Sequence, residues 1–348
     1  MSDQTSTSPL PRILRSLGVG DRGLASATPL TGGTYNTVTR VTLTDGRDWV
    51  VKTPPPHSGG LRYERNLLVN EATFYTAAAQ AGIRGSVIPH VVHSEPDPTA
   101  PTGAYLVMTA CPGRPWYELD AAEDAGDKAR LRDEARLRTE LGCLVGRLHT
   151  ITGSGGFGYP AAPFGPPAAT WRTAFTAMTE AVLADAVTYR APLPYPVDRI
   201  RTVLAHAAPV LDDVTRPALV HFDLWQGNLL VTGEPGARAV GGIIDGERMF
   251  WGDPVADFVS LALFGELEED REFLTGYAEG SGRAVEFSDS VRLRLALYRS
   301  YLYLIMLVET VPRGVGSEAA EETRQLVAPH LVAALDAVSR AANARSGG

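Results

Sequence analysis

At 348 residues the chain is longer than a single hydrophobic core usually fills, which predicts two packed lobes. Its 44% hydrophobic and 21% charged residues argue against a disordered chain or a fibre, and a formal charge of −8 without a basic cluster argues against a nucleic-acid partner. Cys111 and Cys143, the two cysteines, show neither CxxC spacing nor neighbouring histidines, so no zinc or disulfide framework is expected and a cytoplasmic setting suits the chain.

The opening "MSDQTSTSPLPRILRSLGVG" has no basic start followed by an apolar block, so no secretion signal is read; residues 1–9 look loose, and a short helix runs from Leu10 to Gly18 or Gly20. From Thr28, "TPLTGGTYNTVTRVTLTDGRDWVVKTP" alternates β-branched and polar residues, breaks at Asp45-Gly46 and resumes as "DWVVK", which predicts an antiparallel hairpin. A helix is predicted over 64–81, ending at Gly82, and a strand over 105–113 running into a Pro-Gly turn. Leu131, Leu137, Leu141, Leu144, Val145 and Leu148 give the 118–151 stretch a helical apolar face. After a Gly/Pro-rich loop at 153–169 come helices at 170–188 and 197–212, short strands around 218–231 and 239–245, and a helical last third. The run "SYLYLIMLV" at 300–308 is far too short to span a membrane and reads as a buried helix. The expected architecture is α+β and two-lobed, with a β-rich lobe over 1–108, a mainly helical lobe over 109–348, and a ligand cleft between them.

Within "ALVHFDLWQGNLLV" (218–231), His221, Asp223 and Asn228 interrupt an otherwise greasy strand. Burying such groups unpartnered costs about 1–3 kcal/mol each, so they mark a site or a polar turn. Downstream, "GGIIDGERMFWGDPVADF" delivers a second acid, Asp245, at a strand end. Two such strand-loop units can converge oxygens on one point, the donor set that magnesium and substrate phosphate favour, leaving Asp223 to accept a proton from a substrate hydroxyl.

The order HxDxxxxN, IDG 17 residues later, then GDPxxDF resembles the aminoglycoside phosphotransferase family. That resemblance implies the two-lobed fold of protein kinases and phosphorylation of small molecules. It gives Asp223 the part of catalytic base, Asn228 and Asp245 those of magnesium ligands, and His221 and Asp257 those of loop supports. "LTGGTYNTVTRV" is similar to the family's nucleotide-covering loop, so Gly32, Gly33, Thr34 and Asn36 are expected at the phosphates. Lys52 ends the next strand, where a kinase places its phosphate-binding lysine, with Glu71 as the better-placed partner and Glu64 competing. "YLVMTAC" resembles the hinge, with Met108 behind the adenine and Thr109 and Cys111 offering backbone groups to the base. Phe222 departs from the small residue usual at that position, and "DLWQGN" is similar to the DLW-x-GN of the fructosamine-kinase branch.

The function so implied is magnesium-dependent transfer of the γ-phosphate of ATP or GTP to a hydroxyl of a small molecule. The foremost acceptor is an aminoglycoside or nucleoside antibiotic, giving resistance, with a metabolic sugar or amino-sugar kinase second. Glu247, Trp225 and Asp253 are expected to face the acceptor, beside helices carrying Tyr298, Tyr301 and Tyr303. No nucleic-acid or membrane partner is expected, and the chain is read as a monomer or homodimer. A nucleotide-binding pseudokinase module and a metal-dependent hydrolase are the rival readings.

Overall fold

The computed structural model describes residues 8–30, 35–55, 60–83, 87–122 and 127–346. The β-branched run β2 (Thr37–Leu43) folds back on β3 (Asp48–Thr53) through the Asp45-Gly46 turn, where Gly46 takes the left-handed φ of +87° that a tight reversal requires. With β1 (Leu24–Leu30), β4 (Val91–Glu95) and β5 (Tyr105–Thr109) they form an antiparallel sheet in the order β1-β2-β3-β5-β4. β4 was not expected. It is a short edge strand with no fully buried residue, so it lacks the alternation that makes a strand legible.

Period-2 geometry splits the sheet. Val41, Leu43, Trp49, Val51 and Val107 bury one face against Ile13 and Leu14 of α1 (Leu10–Ser16). Lys52 and Met108 belong to the opposite face, which turns toward α2 (Leu67–Ala78) and the cleft. The helix predicted over 64–81 starts later than expected. A 3-10 turn at Arg62–Glu64 precedes it, and Asn66 at φ +61° separates the two.

The C-terminal lobe begins with β6 (Arg114–Pro115) and α3 (Trp116–Ala122). The predicted 118–151 helix is described as α3 and α4 (Asp127–Leu148), residues 123–126 lying outside the described residues. α5 (Trp171–Tyr189) and α6 (Val197–Ala207) follow. Two small sheets then carry the polar loops: β7 (Ala218–Val220) pairs with β10 (Phe250–Gly252), and β8 (Leu229–Thr232) pairs with β6 and with β9 (Ala239–Ile243). α7 (Phe258–Leu261), α8 (Arg271–Ser281), α9 (Asp289–Val308) and α10 (Ser317–Ser346) complete the lobe. The 300–308 run lies in α9 with nearly every residue buried, and no described helix is long and apolar enough to cross a membrane.

Candidate active site

β7 ends at Val220, and the next eight residues form a loop held by one buried carboxylate. Asp257, 2% exposed, accepts the backbone amides of His221 at 3.1 Å and Phe222 at 2.5 Å, and a contact from His149 Nε2 at 2.8 Å. Ser260 Oγ accepts the Leu224 amide at 2.9 Å. These bonds keep Phe222 at φ +64°, a left-handed conformation unfavourable for a bulky residue by about 1–2 kcal/mol. The ring offsets that cost by packing against Phe250 and Tyr301, with centroids 5.0 and 5.6 Å away.

His221 is completely buried and fully used. Nε2 donates to the Ile244 carbonyl at 3.0 Å, so Nδ1 is the nitrogen that accepts the Asp223 amide at 3.2 Å. Burial lowers its pKa, which favours the neutral ring. No lone pair remains for proton abstraction in this arrangement.

Asp223 is differently placed. Asn228 Nδ2 donates to its carbonyl at 2.9 Å and to its Oδ2 at 3.1 Å, while Oδ1 accepts no hydrogen bond among the described residues. Burial raises its pKa from the ordinary aspartate value, with the Arg248 guanidinium pulling in the opposite sense. An ionised carboxylate with one anchored and one open oxygen can orient a hydroxyl and take its proton.

Asp245 sits at the end of β9 at φ +65°, where its amide donates to Tyr75 Oη at 2.9 Å. Lys52 Nζ lies 2.5 Å from Asp245 Oδ1 and 2.8 Å from Glu71 Oε1, and Tyr75 Oη donates to the same Glu71 oxygen at 2.9 Å. Of the two acids weighed for Lys52, Glu71 takes it, whereas Glu64 pairs with Arg313. Burial alone would depress the Lys52 pKa, but Asp245, Glu71 and Glu247 raise it far above the ordinary lysine value. For Asp245 burial acts upward, and Lys52 more than offsets it and leaves the pKa lowered. Glu247 accepts Asn36 Nδ2 at 2.6 Å, and burial with Asp245 nearby raises its pKa well above normal. Glu71, Asp245 and Glu247 each bring an oxygen within 4.8 Å of the others.

Three expected loop residues, Gly32, Gly33 and Thr34, lie outside the described residues. Met108 is buried in β5 opposite Val50 and Val91. The Thr109 amide donates to the His90 carbonyl at 2.9 Å, which leaves its carbonyl as the backbone group it could turn to a base edge. Cys111, two residues on, has an amide that no described residue accepts. Asp253 corrects an expectation. At 2% exposure its carboxylate is taken by Arg294, by Tyr298 Oη at 2.7 Å and by the Val255 amide at 3.3 Å, so it offers no charge to an acceptor. Tyr298, Tyr301 and Tyr303 are buried core rather than an acceptor wall. Glu247 groups with Lys52 and Asn36 instead of facing Asp223. Trp225 is exposed and stacks on Tyr117, with centroids 5.9 Å apart and planes 12° from parallel.

The sequence reading missed Tyr75, Arg248 and Glu309. Arg248 had a signal, a cation three residues after Asp245 and directly before the apolar Met249-Phe250-Trp251. Tyr75 and Glu309 had none, because the contacts that bring them to the site, with the Asp245 amide and with Arg248, come from residues distant in sequence.

A family model described as the phosphotransferase enzyme family (APH) matches residues 26–297. No curated protein sequence matches the chain significantly. Among solved structures, a protein assigned as a fructosamine-3-kinase from Thermobifida fusca YX-ER1 superposes with a TM-score of 0.63 at 22% identity, over 94% of this chain and 97% of that one. A thermostable mutant of aminoglycoside phosphotransferase APH(4)-Ia, in ternary complex with AMP-PNP and hygromycin B, gives 0.58 at 15% identity over 95% and 99%. Macrolide 2'-phosphotransferase MphH from Brachybacterium faecium gives 0.53 at 18% identity over 94% and 96%. At such identities the likeness shows the fold, two-lobed and protein-kinase-like.

The Phe222 position yields a stability test. Phe222→Gly relieves the left-handed backbone but empties the space between Phe250 and Tyr301. Losing a buried aromatic ring costs about 3–5 kcal/mol and the relieved backbone returns about 1–2 kcal/mol, so a net loss of about 1–4 kcal/mol is expected in denaturant unfolding. An unchanged or raised midpoint would show that the ring contributes nothing to the loop.

Proposed function

The chain belongs to the phosphotransferase enzyme family and is a small-molecule phosphotransferase; from that premise we propose that it moves the γ-phosphoryl group of ATP or GTP onto a hydroxyl of a sugar-like acceptor, with Asp223 taking the acceptor's proton. The observation that carries this reading is the asymmetry of Asp223, one oxygen held by Asn228 and the other open. Lys52, fixed by Glu71 and Asp245, is the cation for the nucleotide phosphates. Asn36 flanks that group through Glu247. Cys111 is the hinge residue whose amide remains for a base edge.

The donor set fits a hard divalent cation. Asn228 commits its amide nitrogen to Asp223, which leaves its side-chain carbonyl as a ligand. Asp245 uses Oδ1 on Lys52 and keeps Oδ2 free of any hydrogen bond among the described residues. Glu71 Oε2 is buried and finds no partner among them. Magnesium held by Asn228 and Asp245 would neutralise phosphate charge during transfer. The chain's own part is to fix the phosphates with Lys52 and to hold the acceptor hydroxyl against Asp223 Oδ1, where positioning and charge neutralisation do most of the catalysis.

On the acceptor, one observation reorders the two readings. A polycationic antibiotic would call for an acidic pocket wall, and Asp253, the acid expected to supply part of it, has its carboxylate locked inside the protein. A sugar-amine acceptor of the fructosamine type therefore moves ahead, supported by "DLWQGN" and by the exposed Trp225 two residues after Asp223. A cytoplasmic enzyme acting on glycated amines fits the composition, with antibiotic resistance as the second reading.

The test is incubation with magnesium, ATP or GTP, and N-fructosyl-lysine, kanamycin, hygromycin B or erythromycin, followed by mass spectrometry for a gain of one phosphoryl group. Fastest gain on the ketoamine is expected. Gain confined to an antibiotic, with resistance in an expressing host, would establish the second reading, and no gain on any would overturn both. Asp223→Asn should lower turnover by about 10²–10⁴ with nucleotide affinity kept; turnover within a few-fold of wild type would place the base elsewhere. Lys52→Ala should raise the nucleotide KM by about tenfold or more, since a charged hydrogen bond contributes about 1.5–3 kcal/mol. A change confined to the acceptor KM would take Lys52 out of the phosphate site.

A further inference from the structure

From Asp223 a row of alternating charges runs into the C-terminal helices. Arg248 Nε lies 3.8 Å from Asp223 Oδ2, beyond a hydrogen bond yet close enough for strong attraction, and Arg248 Nη2 donates to Glu309 Oε2 at 3.0 Å. Arg313 reaches the same Glu309 oxygen at 3.1 Å and also pairs with Glu64. Glu64 accepts the Leu61 amide at 2.6 Å with its other oxygen. Glu309 closes α9, whereas Arg248 belongs to the turn that carries Asp245. One helix end thereby grips the turn beside the base. Arg248 is only 12% exposed, so water does little to screen it.

Two acids compete for that guanidinium. Glu309 holds it by a direct hydrogen bond, and Asp223 is the other carboxylate within 4 Å among the described residues. If Glu309 lost its charge, a nearly buried Arg248 would keep a single anionic partner in reach, and closing the remaining distance would give it a direct ion pair. That pair would occupy the base. Asp223 Oδ2 is already shared with Asn228 Nδ2, so a bidentate arginine would turn the carboxylate and engage Oδ1, the oxygen left for the acceptor.

We propose that Glu309 is a positioning residue for phosphoryl transfer: it holds Arg248 away from Asp223 and so keeps Asp223 Oδ1 open to the acceptor hydroxyl. The inference rests on Asp223 as the base and adds to it a residue 86 positions downstream. It assigns Arg248 a double task, steadying the charge of Asp223 from a distance and leaving its outer oxygen free. The arrangement differs from a structural salt bridge in one respect. Its loss should act on the chemical step and not on nucleotide binding.

The test needs no knowledge of the acceptor, because water can stand in for the hydroxyl. Single-turnover hydrolysis of magnesium-ATP and magnesium-GTP is measured for wild type, Glu309→Gln, Asp223→Asn and the double variant. Kd for a fluorescent mant-nucleotide and Tm are measured beside it. Glu309→Gln should slow hydrolysis by on the order of tenfold to a hundredfold, the scale of a misplaced catalytic group. Its nucleotide Kd should stay within about twofold, as expected for an interaction used only in the chemical step. In the Asp223→Asn background the same change should cost nothing further, because the base through which it acts is gone. Glu309→Asp, which keeps the charge, should hydrolyse within a few-fold of wild type, and it serves as the comparison if Glu309→Gln does not fold. Hydrolysis by Glu309→Gln at the wild-type rate, an equal penalty in both backgrounds, or a Glu309→Asp as slow as Asp223→Asn would each overturn the proposal. Full hydrolysis by Asp223→Asn alone would instead withdraw Asp223 as the base, and the positioning role with it.

Discussion

A buried carboxylate that must accept several donors at once fixes whatever carries those donors, and Asp257 does this for the loop after β7. Its two oxygens meet the amides of His221 and Phe222 and the ring of His149. Unpaired, such a charge would be strongly unfavourable inside the protein, so the loop is ordered by the requirement to satisfy it. His149 in turn contacts Tyr277 Oη at 2.9 Å, which ties the peg to α8. The strained backbone at Phe222 and the placing of Asp223 follow from where that carboxylate sits, while burial keeps His221 neutral against the pull of the same charge.

The same logic organises the facing acid. Asp245 also lies in the left-handed region, its amide satisfied by Tyr75 and its carboxylate by Lys52. Because Tyr75 and Lys52 both meet Glu71, the sheet of the first lobe, its helix α2 and the β9 turn of the second lobe share one polar cluster. The two lobes therefore meet through charges, and the Asn36–Glu247 bond adds a contact from just before β2. Three carboxylates there share one cation, Lys52: burial first and the neighbouring acids second raise the pKa of Glu247 and Glu71, whereas at Asp245 Lys52 outweighs burial and lowers it.

Much of this was legible in the sequence where the signal is local. The hairpin over 37–53, the helical last third and the polar residues at 221, 223, 228 and 245 all announce themselves by period or by an ionisable group in an apolar run. Legibility failed where a neighbour distant in sequence decides. Asp253 looks like a cleft acid until Arg294 and Tyr298 on α9 take it inward. The Thr109 amide looks available to a base until the unforeseen β4 region supplies His90 to it, which leaves the carbonyl for that part. Glu309 sits at the end of an apolar helix and gives no hint that Arg248 waits across the fold. The α2 boundary moved because one left-handed Asn66 outweighed good helix propensity on both sides.

The claim at the centre is that Asp257, without touching substrate, sets the geometry from which Asp223 acts. Asp257→Asn keeps the shape of the side chain but presents an amide donor where backbone N–H groups point. The most direct measurement is its single-turnover rate of nucleotide hydrolysis, read together with amide exchange at residues 221–224 and nucleotide Kd. Faster exchange at those amides and a rate lowered by about a hundredfold, with Kd within a few-fold, are expected if the peg positions the base. A wild-type rate from a loop whose amides exchange freely would contradict it.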